Sequence, residues 1–411
     1  MFRCGEFSKK FRTNEVAGIS YDDETRGGAP LVKQPQRFLR SCWGVSPQGL
    51  RIKGEVRERL KRYAWKAYRL ARVSRVRIPP SPHFLFIRMN QKEFIQGLPK
   101  AEVHLHLDGT LTPALFMELA KESNHPLSKR SLSEIEKLIV VSKPMRSLKE
   151  VLGVFDLIAP MLRRPRAVEK VVYELCGKAK EQNVTYVEVR YAPILSVTAD
   201  FSLDEVIEVI LRSLKKGEED FGVKSGFIVT LLRNAPRKDN EAMLEAAKKF
   251  FGRGVVAIDL ANDEAGYPLE LFKDMFEEAK RCGIPFTIHA GEVYPTKDFG
   301  LALDLGVRRI GHGTSLVRYP DLMQEVARRK IAIEVNLTSN IRTNAVSSYK
   351  AHPVMKFLEA GIPVAIGTDD PGLFGIDLNH EYSVLLKELD FSQSDVASIA
   401  KQSFDCVFKG T

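Results

Sequence analysis

The sequence predicts an α/β chain that closes into a (β/α)8 TIM-type barrel, with its active site at the C-terminal ends of the strands. Three observations carry that prediction. Eight short β-rich runs recur between residues 101 and 368, helical patterns separate most of them, and unusual polar residues follow the apolar part of their strands. Eight strand–helix units suit such a barrel, and such barrels carry their chemistry where those polar residues fall. A doubly wound open sheet is the alternative.

The first run, Ala101-Glu102-Val103-His104-Leu105-His106-Leu107, stops at Asp108-Gly109. Residues two apart on a strand share a face, so His104 and His106 project together. Two imidazoles side by side at a strand end suit a divalent metal better than a core. Taken alone, the pair is better explained by hydrogen bonds to neighbours. Helical patterns then fill about 112–180, punctuated by Pro144, Pro160 and Pro165. The later strands are expected at 184–191, 226–232, 255–260, 285–289, 308–312, 331–336 and 363–368. Helical segments are expected at 203–219, 240–252, 269–282, 320–329 and 351–360.

Composition divides the chain. The formal charge of +10 suggests nucleic-acid binding until it is split. Residues 1–88 hold 20 Lys and Arg against 7 Asp and Glu, a net of +13, and residues 89–411 carry a net of −3. Residues 89–411 are therefore expected to form the barrel, with no nucleic-acid role. The basic extension 1–88 has three readings: a helix over about 51–72 that binds RNA or an acidic surface, a disordered tail, or a stretch not normally translated. The third is favoured. Ser74 to Pro82, with Val76-Arg77-Ile78-Pro79 inside it, looks like a transfer-RNA gene read as protein, and Met89 is then the expected start. No apolar run approaches the ~18 residues of a membrane helix. No secretory signal is seen, and five scattered cysteines suggest no disulfide framework, which points to the cytoplasm.

Three later strand ends match the first. His289-Ala290-Gly291-Glu292 closes the fifth strand, Gly311-His312-Gly313-Thr314 the sixth and Gly367-Thr368-Asp369-Asp370-Pro371 the eighth. Each alone has a bland explanation: a tight turn, a glycine-flanked structural histidine, a helix cap. Their joint placement on one barrel face needs several independent coincidences. The physical reading is a mononuclear metal hydrolase. His104, His106 and His289 supply nitrogen ligands and Asp369 an oxygen, a set that suits one Zn²⁺ per chain with a position left for water. His312 can orient or deprotonate that water, and Glu292 can deliver a proton to the substrate.

At this point the sequence resembles the adenosine deaminase family. The matching stretches are Leu98-Pro99-Lys100-Ala101-Glu102-Val103-His104-Leu105-His106-Leu107-Asp108-Gly109, Glu188-Val189-Arg190-Tyr191, Asp259-Leu260-Ala261-Asn262-Asp263-Glu264, His289-Ala290-Gly291-Glu292, Arg309-Ile310-Gly311-His312-Gly313, Asn336-Leu337-Thr338-Ser339-Asn340 and Gly367-Thr368-Asp369-Asp370-Pro371. The resemblance implies a zinc-dependent barrel that hydrolyses the 6-amino group of adenosine, giving inosine and ammonia. It implies that Glu292 protonates purine N1, that His312 and Asp369 manage the proton of the attacking water, that Asp370 faces N7, and that Asp108 accepts from the ribose 5′-hydroxyl. Asn262 stands where the family usually has glycine, whose N–H faces N3. That departure puts the substrate, more than the reaction, in question. The segment 143–156 resembles the family's hydrophobic gate, with Leu148, Val151, Leu152 and Phe155 lining it; an ordinary amphipathic helix face is an equal reading.

The expected partner is a small purine nucleoside. A carboxylate at Asp108 disfavours a 5′-phosphate. Adenosine and 2′-deoxyadenosine lead, with aminodeoxyfutalosine, adenine and N6-methyl-AMP as alternatives and a non-catalytic nucleoside-binding barrel below them.

Overall fold

The computed structural model describes residues 90–408. The expectations for residues 1–88 lie outside the described residues. Among the described residues there are eight parallel strands: β1 (Lys100–His106), β2 (Val184–Tyr191), β3 (Lys224–Leu232), β4 (Val255–Ala261), β5 (Thr287–Ala290), β6 (Arg309–His312), β7 (Ala332–Val335) and β8 (Val364–Ile366). They pair in sequence order within two runs, β1 to β4 and β5 to β8. Two parallel bridges join the runs, Ile258 with Phe286 and Leu105 with Asp369. The Ile258 amide donates to Pro285 O at 3.1 Å, and His106 N–H donates to Asp369 O at 2.9 Å. The architecture is the (β/α)8 barrel that the sequence predicts, not an open sheet.

The helices form where local chemistry allows them. Ser202 and Glu205 make a capping box at the start of the helix Leu203–Phe221, and Gly222, at φ +71°, ends it in the left-handed region. Pro165 opens the helix Pro165–Glu181 at a position where no N–H is needed. Between β1 and β2 the chain makes several shorter helices, including Leu148–Leu152 and Phe155–Ile158. No helix among the described residues is long and apolar enough to cross a membrane.

The barrel interior is not wholly apolar. Arg190 bridges Asp259 at 3.1 Å and Glu334 at 2.9 Å, and Arg309 bridges Glu334 at 2.5 Å and Glu188 at 2.6 Å. All five are buried. Each charge has an opposite partner, the condition under which such burial is tolerated. At the end opposite the catalytic face the chain returns to close the barrel. Arg309 lies 3.8 Å from the Phe408 ring centroid and donates to Cys406 O at 2.8 Å.

Candidate active site

The hydrogen bonds that close the barrel also build the site. Asp369 N–H donates to His104 O at 2.9 Å, so the ends of β1 and β8 are locked side by side. Asp369 itself adopts φ +63°, His312 +62° and Asn262 +86°. Non-glycine residues seldom take this conformation, and they cluster at functional sites when the surrounding structure enforces it. The positive φ at Asn262 also accounts for a glycine-like position. Its side-chain Oδ1 accepts from the Asp263 amide at 2.8 Å and so turns back on its own backbone.

Three imidazole nitrogens and one carboxylate oxygen converge. Nε2 of His104 lies 3.0 Å from Asp369 Oδ1, Nε2 of His106 lies 3.3 Å from the same oxygen, and Nε2 of His106 lies 3.2 Å from Nε2 of His289. Bonds of about 2.0–2.1 Å in a tetrahedron place ligand atoms about 3.3 Å apart, so this spacing fits a small divalent ion. The outer ring nitrogens are already engaged. His104 Nδ1 faces Glu334 Oε2 at 2.6 Å, and His289 Nδ1 faces Asp259 at 3.1 Å. A carboxylate accepts a hydrogen bond from Nδ1–H, which fixes the proton there and leaves the Nε2 lone pair for a metal. Burial adds to this by driving the His289 pKa down to about 3. Burial opposes the charge on Asp369, but the surrounding imidazoles of His104, His106 and His312 outweigh it and hold its carboxyl well below the usual range. Ser339 Oγ occupies the other oxygen of Asp369 at 2.7 Å.

His312 also approaches this group; with His104, His289 and Asp369 it forms a set whose ligand atoms lie within 4.8 Å of one another. Its Nε2 stands further out, 4.0 Å from Asp369 Oδ2 and 3.6 Å from Glu292 Oε2. Its Nδ1 meets amides, Asn340 Nδ2 at 2.9 Å and Asn336 Nδ2 at 3.3 Å, where His104 and His289 meet carboxylates.

Two carboxyls beside the cluster favour their protonated forms. Burial, reinforced by the charge of Asp369, pushes Glu292 up to about 8. The same two causes push Asp370 well above the carboxylate range. Asp370 Oδ1 is buried without a hydrogen-bond partner among the described residues. An orphaned buried oxygen at such a place points to a ligand. Gly109 makes room for Asp370, because a Cβ at 109 would overlap the Asp370 carboxyl. Asp108 is buried next to it, and burial raises its pKa. Leu148 and Phe155 are half-buried on their short helices.

Sequence reasoning assigned no role to several residues that hold this arrangement. Glu264 accepts from the amides of Gly291 at 2.8 Å and Val293 at 3.2 Å, one on each side of Glu292. Arg233 donates to His289 O and to Asp298, both at 2.7 Å, and ties the loop after β4 through Tyr267 O at 2.6 Å. Asp259 and Glu334 carried a visible signal: each is a lone acid inside an apolar strand. Glu264 closes the matching stretch that begins at Asp259, though nothing there marked its role, and Arg233 sits in a loop and carried no signal.

Proteins of known activity resemble this chain over most of its length. An adenosine deaminase from Clostridium kluyveri is 32% identical over 78% of this chain and 92% of its own length. One from Clostridium perfringens is 34% identical over 76% of this chain and 94% of its own length. Among solved structures, an adenine deaminase from Arthrobacter aurescens matches with a TM-score of 0.69 at 27% identity, covering 76% of this chain and 94% of that one. An Arabidopsis N6-mAMP deaminase matches with a TM-score of 0.69 at 28% identity, covering 77% and 95%. The adenosine deaminase family model matches residues 99–409, and the chain belongs to that family of metal-dependent aminohydrolases.

Proposed function

We propose that this protein is a zinc enzyme that hydrolyses adenosine, and 2′-deoxyadenosine, to inosine and ammonia. One observation carries the proposal: two buried carboxyls, Glu292 and Asp370, each with an oxygen that has no hydrogen-bond partner among the described residues, stand beside the converged histidines and Asp369, and burial favours their protonated forms. A 6-aminopurine offers unprotonated N1 and N7, which need donors. A protonated Glu292 serves N1 and a protonated Asp370 serves N7. Delivering the Glu292 proton to N1 makes C6 electrophilic as water attacks it.

In this reading His104, His106, His289 and Asp369 hold the zinc. A nitrogen-rich set with one carboxylate suits that ion, which when bound supplies hydroxide near neutral pH. His312 and Asp369 flank the attacking water, where one orients it or takes its proton. The N–H of Asn262 meets N3, Asp108 accepts from the 5′-hydroxyl, and Leu148 and Phe155 cover the ribose. The catalytic unit is residues 89–411, which include all eight of the described barrel strands.

A kinetic screen of adenosine, deoxyadenosine, adenine, AMP, N6-methyl-AMP and aminodeoxyfutalosine, following absorbance and amine release, tests the substrate. The highest kcat/KM is expected for adenosine or deoxyadenosine. A preference for adenine or a 5′-phosphate would overturn the assignment of Asp108 and the ribose pocket. Elemental analysis of enzyme purified without added metal tests the ion, with one zinc per chain expected.

A further inference from the structure

His352 lies outside every motif that the sequence analysis singled out, yet it connects to the reacting groups. It precedes the helix Val354–Glu359 and is 5% exposed. The Val354 amide donates to its Nδ1 at 3.1 Å. A backbone N–H can only donate, so that ring nitrogen is bare. Burial drives the His352 pKa down to about 3, so the ring is neutral and its one proton is on Nε2. Nε2 faces Asn340 Oδ1 at 3.1 Å. With its oxygen engaged there, the Asn340 amide presents Nδ2 to His312 Nδ1 at 2.9 Å. His312 Nδ1 therefore accepts, and the His312 proton sits on Nε2, facing Glu292 and Asp369.

We infer that His352 is a positioning residue which, acting through Asn340, holds His312 as the Nε2–H tautomer. The inference rests on the placement of His312 at the reacting water made above, and it chooses between two roles for that residue. An imidazole with its proton on Nε2 and an amide on Nδ1 has no lone pair to offer in the site. It does not ligate the metal, and it does not take the first proton of the water. It donates a hydrogen bond that orients the attacking oxygen, and the Asp369 carboxylate is left to accept the water proton. His104 and His289 have the opposite tautomer because carboxylates, not an anchored amide, face their Nδ1 atoms. One site thus holds two imidazole tautomers, sorted by what lies behind each ring.

The test is a long-range ¹H–¹⁵N correlation spectrum of the metal-loaded, full-length protein labelled on histidine nitrogen, with His312 identified by its loss in His312→Gln. The expected result is a protonated Nε2 and a bare Nδ1 at His312. His352→Gln can still accept from Val354 and donate to Asn340, so it should keep that pattern. His352→Phe frees the Asn340 amide to turn. His312 should then exchange between tautomers, and kcat should fall about tenfold or more with KM within about twofold, recovering in His352→Gln. A wild-type spectrum with the proton on Nδ1 would overturn the inference, as would a His352→Phe variant whose His312 signals and kcat match wild type. The spectrum is read without substrate. A protein that turns over no aminopurine but shows Nε2–H would defeat the functional reading alone.

Discussion

Nε2 of His312 stands 3.6 Å from Oε2 of Glu292. The two side chains come from the ends of neighbouring strands, and between them they face the position where a proton must reach the substrate as oxygen attacks. Burial has made Glu292 a donor by lifting its pKa to about 8. Glu292→Gln keeps the shape and removes the transferable proton. It should lower kcat by about 10²–10⁴-fold while metal content per chain stays unchanged. Full activity in that variant would remove Glu292 from the proton path.

Asp259 meets the metal cluster directly at His289, at 3.1 Å. Asp259→Asn can present an amide N–H to His289 Nδ1 and so favour the wrong tautomer. Chelator competition should show metal affinity weakened by about 10–100-fold. An unchanged affinity would mean that His289 is not among the ligands.

Glu264 holds the turn on both sides of Glu292 through two backbone amides. Glu264→Gln replaces one acceptor with a donor that faces an N–H. Denaturant unfolding should show a loss of about 1–3 kcal/mol, and kcat should fall with it. Retention of both would show that the turn keeps its shape without the carboxylate.

Gly109 touches Asp370 so closely that any Cβ there displaces the carboxyl. Gly109→Ala should reduce kcat/KM by about 10–100-fold by misplacing the group that meets the purine. The same change made against a substrate that lacks N7 should cost less, and equal losses for the two substrates would argue against an Asp370–N7 contact.

Glu381 gives a pH-dependent stability away from the metal cluster. It is fully buried, accepts from the Thr338 amide at 3.1 Å, and burial raises its pKa from 4.5 to about 7. Between those pH values the folded chain keeps a proton that the unfolded chain has released. Stability from this group therefore falls as pH rises from about 4.5 to about 7 and levels off above. Glu381→Gln should flatten that part of the stability curve by an amount on the order of 1–3 kcal/mol. Parallel curves for the two proteins would mean that Glu381 is ionised in the folded state.

Much of this protein is readable along the chain because its signals are local. Strand alternation puts His104 and His106 on one face, and the glycines around His312 and before Glu292 mark turns at strand ends. Eight such strands with helices between them leave few folds available. What the chain alone could not decide depends on residues far apart in sequence. Glu334 sits 230 positions from His104 and yet sets its tautomer at 2.6 Å. Glu264 and Arg233 act only once their loops fold over the end of β5. The same limit applies to His312. As a residue in a Gly-His-Gly turn it could orient, deprotonate or ligate, since an imidazole does all three. The choice lies in which nitrogen carries the proton, and that follows from a hydrogen-bonded chain through Asn340 and His352 that only the folded barrel assembles.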